Sequence, residues 1–141
     1  MKKRKLIYIC SPCRGDYETN IDNAITYSGI CFRAGYIPVT PHIYFTRFMN
    51  DNDIEERLDA MDAGMQLLLE CSEVWVFGLD HPSEGMKAEI KVAKAHGIPI
   101  RDGEDVLREI HTMAELKRKI VTSANADPDH LVKLYGGRCP E

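Results

Sequence analysis

Apolar and polar residues follow one another along this chain in blocks that predict strands and helices in alternation. Leu6–Cys10 and 74–77 are apolar at nearly every position, and each block ends at a turn signal, as buried strands do. Between them, 20–35 carries apolar residues at helical spacing. A second helix is predicted to begin after Asp53, which opens a capping-box pattern. The core stripe predicted for this helix consists of Ile54, Leu58, Met61, Met65 and Leu68.

The second half of the chain continues the same alternation. Ser83 is predicted to cap a helix that ends near His96, and 98–100 is predicted to be a last short strand. A helix over 105–120 is expected to break at Thr112, because another capping box begins there. The chain therefore supplies four strand candidates once the segment after the first helix is included.

That segment, 36–42, holds two prolines, and a strand within it belongs near a sheet edge because proline donates no hydrogen bond to a ladder. Alternating strands and helices predict an α/β fold. We predict a Rossmann-like three-layer sandwich whose parallel sheet has four to five strands in flavodoxin-like order. This domain is expected to cover 1–122, with 123–141 as a C-terminal tail that could lie at a subunit interface.

Composition narrows the functional classes. The chain has 141 residues, and its 18 basic against 22 acidic side chains give a formal net charge of -4, which argues against a broad basic surface for nucleic acid polymers. No apolar run approaches the length of a membrane span, and the N-terminus does not fit a signal peptide, so a cytoplasmic protein is expected. Five cysteines, an odd number, argue against a closed disulfide framework.

In parallel α/β sheets, ligands bind beyond the carboxyl ends of the strands. That rule selects three loops, 11–17, 41–45 and 78–85. In the third loop, Ser83 can cap a helix whose free N–H groups attract anions, with Gly85 and Met86 in its first turn. Glu89 lies one turn further on and is expected to stay ionised there, either as a nucleophile or as a solvated surface glutamate.

The first two loops also carry candidate chemistry. In the first loop, Arg14 is a natural clamp for a phosphate, and Gly15 allows close backbone approach. Cys10 and Cys13 form a Cys-x-x-Cys pattern that would suit a thiol redox pair, whereas a zinc site would need a second cysteine pair. In the second loop, His42 lies with aromatic neighbours that either stack on a flat ligand or form a packing corner.

Four motifs together resemble the nucleoside 2-deoxyribosyltransferase-like superfamily, and most closely a branch of small uncharacterised bacterial and phage proteins. They lie between about Leu6 and Arg101. The sequences that carry the resemblance are Tyr8-Ile-Cys-Ser-Pro-Cys-Arg-Gly-Asp16, Pro41-His-Ile-Tyr44, Cys71-Ser-Glu-Val-Trp-Val-Phe-Gly78, and Ser83-Glu-Gly-Met-Lys-Ala-Glu-Ile90 with Gly97-Ile-Pro99.

The resemblance implies a role for Glu89 as the nucleophile on the sugar and for Tyr8 as the residue that orients it. The branch of 2′-deoxynucleoside 5′-phosphate N-hydrolases is also similar, because Ser83 and Arg14-Gly15 match its phosphate-binding positions. A second carboxylate is usual in the family, but Met65 stands in its place, so Asp80 or Asp62 would have to substitute. The substrate-binding and phosphate-binding set implied here is Ser11, Arg14, Gly15, Asp16, His42, Ser83, Gly85 and Met86.

These expectations amount to cleavage of the N-glycosidic bond, or base exchange, on nucleosides or their 5′-monophosphates through a covalent glutamyl-sugar intermediate. The alternatives are a nucleotide-binding or sensor module without catalysis and, less favoured, a thiol redox protein. No cofactor and no metal are expected. The family's sites are often completed by a neighbouring subunit, so a homodimer or larger assembly is implied, with Phe45, Phe48 and Met49 as candidate interface residues.

Overall fold

The described part of the protein is built on a sheet of short parallel strands. The structure, a computed structural model, describes residues 2–124. Its elements are β1 (Leu6–Cys10), α1 (Tyr17–Arg33), β2 (Ile37–Val39), α2 (Pro41–Phe48), α3 (Ile54–Leu69), β3 (Glu73–Val76), α4 (Glu84–Ala95), β4 (Ile100–Asp102) and α5 (Gly103–Ala124). The strand order β2-β1-β3-β4 confirms the predicted α/β fold and its flavodoxin-like arrangement, with β2 at an edge.

Strand order reverses between β1 and β3, because the chain leaves β1 for one edge of the sheet and returns to the other side of β1. Their register pairs Tyr8 with Val74 and Cys10 with Val76. The carboxyl ends of these two strands therefore form the crevice where ligands bind in open α/β sheets.

Two helices differ from the sequence prediction. The segment that begins at Pro41 was predicted to be an extended loop, but it forms α2, since proline fits the first helical position, where its missing N–H costs nothing. The break predicted at Thr112 is also wrong, because α5 continues through it. The Thr112 hydroxyl donates to the Arg108 carbonyl at 3.0 Å instead of capping a new helix. The last strand lies two residues later than predicted, at Ile100–Asp102.

The two faces of the sheet are covered by different helices, as a three-layer sandwich requires. Side chains alternate along a strand, so Tyr8 and Cys10 face one layer while Ile7 and Ile9 face the other. The first layer holds α3 and α4, and its buried cluster consists of Tyr8, Cys10, Leu68, Cys71, Val74, Val76, Met86 and Ala93. On the opposite face, Phe77 stacks on Tyr27 of α1 with ring centroids 3.8 Å apart.

Only the second half of the stripe predicted for α3 belongs to the core. Leu68 is buried and Met65 packs against the cluster, whereas Ile54, Leu58 and Met61 are 65%, 55% and 44% exposed. The half-buried positions in the first two turns of α3 are 56, 57 and 60 instead. The early part of the helix is therefore rotated relative to the stripe that periodicity predicted.

Residues 4–107 form one compact unit, and the remaining described residues, 2–3 and 108–124, belong to a second unit. The described helical part of this second unit is the later part of α5, where His111 and Glu115 pair one turn apart at 3.4 Å. The predicted tail, 123–141, lies outside the described residues except for the last two positions of α5. No helix in 2–124 is long and apolar enough to cross a membrane.

Candidate active site

A carboxyl group lies where β1 and α4 meet. Glu89 of α4 is partly buried against β1, and it accepts hydrogen bonds from the hydroxyl of Tyr8 and the thiol of Cys10. These two donors lie two residues apart on β1, so they share one face of the sheet. The structure therefore brings together Tyr8 and Glu89, as the sequence predicted, and adds Cys10, which the sequence had suggested only for redox chemistry.

Burial dominates the electrostatics of this carboxyl group. It raises the pKa of Glu89 from 4.5 to about 7, while the hydrogen bonds from Tyr8 and Cys10 act in the opposite direction without offsetting it. The expectation that Glu89 stays ionised is thus corrected, because a pKa near 7 leaves about half of the molecules protonated at neutral pH. Burial also raises the pKa of Tyr8 and of Cys10, which keeps both groups protonated as donors.

The position of Glu89 follows from how α4 begins and packs. Ser83 caps the helix by accepting from the Met86 N–H at 3.2 Å, and the Met86 side chain is anchored in the buried cluster. The N–H groups of Glu84 and Gly85 have no acceptor within the helix. Ser83, Gly85 and the helix start therefore lie as predicted at the carboxyl edge of β3, whereas the Met86 N–H is already engaged by the cap.

Gly64 of α3 completes the surroundings of Tyr8. A Cβ atom placed on Gly64 would lie 3.8 Å from the Tyr8 hydroxyl oxygen and 3.9 Å from the Cβ of Pro41. Both α3 and α2 therefore lie close to the hydroxyl that holds Glu89, and a methyl group at Gly64 would touch that hydroxyl at ordinary contact distance. Sequence reasoning missed Gly64, although a glycine inside a helical pattern signals either a packing or a functional reason.

The two predicted substitutes for a second carboxylate lie in different places. Asp62 is exposed and accepts from Gln66 Nε2 at 2.8 Å. It precedes Gly64 by two residues, about 200° around the helix, so it faces away from Tyr8. Asp80 is also exposed, but it lies in the turn between β3 and α4, at the carboxyl edge of the sheet. The structure therefore does not bring Asp62 to Glu89, and it leaves Asp80 at the correct edge.

Ser11 and His42, both predicted to bind substrate, contact each other next to the end of β1. The Ser11 hydroxyl is buried and lies 3.2 Å from His42 Nε2, within hydrogen-bond distance. Burial lowers the pKa of His42 to about 4, so its imidazole is neutral at physiological pH. A neutral imidazole in this place can fix or contact a ligand, but it holds no proton to give as an imidazolium.

The rest of the first loop is arranged around α1 and α2. Arg14 pairs with Asp51 at 3.6 Å, and both side chains are exposed. Gly15 has a φ of +95°, a conformation that favours glycine. Asp16 caps α1 and accepts from the Thr19 hydroxyl at 2.9 Å, so its carboxylate already has a structural role. The shallow pocket beside this loop is lined by Cys13, Arg14, Tyr17, Thr46, Met49 and Asp51.

The geometry does not favour thiol chemistry. Cys10 is fully buried, Cys13 is partly buried, and both thiols are free. Burial raises the pKa of each thiol, which disfavours the thiolate that redox exchange requires. Within residues 2–124, no three acidic, histidine or cysteine side chains are grouped closely enough to hold a metal ion.

Residues 5–103 match the family described as "Domain of unknown function (DUF7768)". No curated protein matches the chain.

Two solved structures are similar in fold. One is the 2-deoxyribosyltransferase of Bacillus psychrosaccharolyticus, with a TM-score of 0.57 and 14% identity over 67% of this chain and 69% of that one. The other is the 2-desoxiribosyltransferase of Leishmania mexicana, with a TM-score of 0.50 and 14% identity over 97% of this chain and 75% of that one. At this identity, the likeness shows a shared fold.

Proposed function

The chain belongs to the family described as "Domain of unknown function (DUF7768)", and from this membership, its fold and its buried carboxyl group we propose that it cleaves an N-glycosidic bond. The substrates proposed are nucleosides, 2′-deoxynucleosides or their 5′-monophosphates. The products are a free base and either the released sugar or a sugar joined to a second base. The fold shared with two 2-deoxyribosyltransferases supports this class of reaction.

The single observation that carries the proposal is the carboxyl group of Glu89, held by Tyr8 and Cys10 at the carboxyl edge of the sheet. In the ionised state, a Glu89 oxygen attacks the anomeric carbon, and the bond between that carbon and the base breaks with its electron pair on the base. Water, or a second base, then displaces Glu89 from the sugar and regenerates the carboxylate.

The departing base needs a proton. We assign this role to the protonated carboxyl group of Asp80, which gives its proton to the base nitrogen and regains one from the attacking water, since Asp80 lies in the turn at the carboxyl edge while Asp62 faces away from Tyr8. The N–H groups at Glu84 and Gly85, which have no acceptor within the helix, are available as donors to a polar group of the substrate near the start of α4.

The test is to incubate the protein with a panel of nucleosides and 5′-monophosphates and to measure free base by chromatography. We expect Glu89→Gln to abolish release, since an amide is not a nucleophile here, and Glu55→Gln, an exposed carboxylate on α3, to retain it. Unchanged release by Glu89→Gln would refute the assignment of the nucleophile.

A second candidate is a module that binds nucleotides without turnover. The observation that favours it is the absence of a second carboxylate on the part of α3 that faces Tyr8, where Gly64 stands and Met65 packs into the cluster. Calorimetry separates the two candidates, because a sensor would bind a nucleotide tightly and release no base from it.

We also propose that the chain forms a homodimer or a larger homo-oligomer. Large apolar side chains on α2 and α3 are exposed, with Phe48 at 70% and Ile54 at 65%. Large apolar side chains exposed on neighbouring helices are expected to be covered when subunits associate. Light scattering after gel filtration gives the mass in solution, and Leu58→Glu, also on this face, is expected to shift it to that of a monomer. A wild-type monomer would contradict the proposal.

A further inference from the structure

Arg57 of α3 has a buried polar atom that the fold leaves without a partner. Its Nε is buried and has no hydrogen-bond acceptor among the described residues. Two other arginines of the same unit have carboxylate partners, Arg14 with Asp51 and Arg101 with Glu73. An unsatisfied buried donor costs about 1–3 kcal/mol, so a native fold keeps one only for a reason.

The acidic residues that could face Arg57 along the helix are already engaged, and those two positions away from it lie on the other side of α3. Asp53, one turn before it, caps α3 by accepting from the N–H groups of Glu55 and Glu56. Glu56 accepts in turn from the Asn50 N–H at 3.0 Å. The positions one turn after Arg57 are alanine and methionine, which supply no carboxylate. The helix thus presents a guanidinium that its own neighbours do not neutralise.

The position of Arg57 on α3 relates it to the site. Arg57 and Gly64 are seven residues apart, which leaves them within about 20° of each other around the helix. Gly64 faces the Tyr8 hydroxyl, so Arg57 lies on the same face of α3, about 10 Å further along the axis.

The direction of that displacement is toward the carboxyl edge of the sheet. The chain after α3 reaches the amino end of β1, where the Ser72 N–H donates to the Leu6 carbonyl at 2.8 Å. The first turns of α3, with Arg57, are therefore at the opposite edge. Side chains on a helix also tilt toward its N-terminus, which carries the guanidinium further toward this edge.

We propose that Arg57 binds the 5′-phosphate of a nucleoside monophosphate and so determines a preference for phosphorylated substrates. This inference rests on the proposed function, because it uses Glu89 to fix the sugar at the level of Tyr8. The anomeric carbon and the 5′-phosphate lie at opposite ends of the sugar, and Arg57 is displaced from the level of Tyr8 and Glu89 along α3, toward the carboxyl edge of the sheet. A guanidinium donates two parallel hydrogen bonds to phosphate oxygens, which matches this ligand in shape and charge.

The experiment compares one 2′-deoxynucleoside with its 5′-monophosphate in the wild type, Arg57→Met and Arg57→Lys. Methionine keeps an unbranched apolar side chain of similar length, and lysine keeps the positive charge but lacks the planar guanidinium. Arg47→Met is the matched control, because Arg47 is exposed on α2 and the substitution removes the same charge. Thermal unfolding of each variant verifies that it is folded.

For Arg57→Met we expect KM for the monophosphate to rise by about 10- to 100-fold, the value of a hydrogen bond to a charged group. KM for the nucleoside should stay unchanged, and Arg57→Lys should fall between the wild type and Arg57→Met. Equal losses for both substrates, or no loss for either, would overturn the proposal.

Calorimetry with the monophosphate distinguishes this proposal from the proposed reaction. If the wild type binds the monophosphate without releasing base, and Arg57→Met weakens that binding at least tenfold relative to Arg47→Met, the role of Arg57 stands while the proposed reaction fails. If the wild type binds no monophosphate, or Arg57→Met binds it as tightly, the role of Arg57 is refuted.

Discussion

The thiol of Cys10 donates a hydrogen bond to the carboxyl group of Glu89, beside the hydroxyl of Tyr8, which donates to the same group. Both donors favour the ionised carboxylate, whereas burial favours the neutral acid, and burial is the stronger influence. The pKa of Glu89 near 7 is therefore the result of a balance that single substitutions in β1 can move.

Cys10→Ala removes one donor and should raise the pKa of Glu89 further. Because only the carboxylate is a nucleophile, kcat/KM is expected to rise with pH through the pKa of Glu89. This rising limb of the pH profile should lie about one pH unit higher in the variant than in the wild type. The measurement is a profile of base release between pH 5 and pH 9.

Cys10→Ser provides the conservative comparison, since a hydroxyl is a stronger donor than a thiol and should leave the limb at or below its wild-type position. Cys71→Ala controls for the loss of a buried sulfur, because Cys71 lies in the same cluster but donates to the Leu67 carbonyl. A limb that stays in place in Cys10→Ala would show that the thiol does not hold the carboxylate.

Glu89→Gln should make the protein more stable at alkaline pH while it abolishes the proposed reaction. The folded-state pKa of Glu89, about 7, lies above its unfolded value of 4.5, so folding favours the protonated form. The wild type then loses up to about 3 kcal/mol of stability as pH rises from 4.5 to about 7, whereas the variant does not, because glutamine never ionises.

Urea unfolding at pH 5 and pH 8.5 measures this effect. The difference between Glu89→Gln and the wild type should grow in favour of the variant from pH 5 to pH 8.5. Asp59→Asn, at an exposed position of α3, should show no such growth. A constant difference at both pH values would argue against burial as the cause of the raised pKa.

Much of this site could be predicted from sequence patterns, since a strand that ends in Tyr8 and Cys10 and a helix capped by Ser83 both have strong local signals. The contributions of α3 could not, because they depend on how that helix rotates against the sheet. An apolar stripe predicted Met61 and Leu58 as core, yet the face that packs near Tyr8 carries Gly64. Periodicity fixes which residues share a face, but the packing of the helix against the sheet decides which face is covered.

Gly103→Ala is expected to destabilise the fold. A Cβ on Gly103 would lie 2.6 Å from the Phe77 ring, and that ring is stacked on Tyr27, so it cannot move away freely. Overpacking of this kind costs about 1–3 kcal/mol, measurable as a lower urea midpoint. Gly64→Ala is the matched helical control, because its Cβ would meet only ordinary contacts and should cost less than Gly103→Ala. Equal midpoints would contradict the packing argument.

His42→Gln should reveal a pH dependence that the wild type conceals. The folded-state pKa of His42, about 4, lies below its unfolded value of 6.5, so the wild type gains stability from His42 as pH rises from 4 to 6.5. Glu89 acts in the opposite direction over nearly the same range, because its pKa rises from 4.5 to about 7 on folding. Each group contributes about 3 kcal/mol, so the two slopes nearly cancel in the wild type.

Urea unfolding at pH 4.5, 5.5 and 6.5 should therefore show that, as pH rises, stability falls in His42→Gln, rises in Glu89→Gln and stays constant in the double variant. His81→Gln, at an exposed position, serves as the control and should follow the wild type. Parallel curves for the wild type, the two single variants and the double variant would mean that neither His42 nor Glu89 changes its pKa on folding.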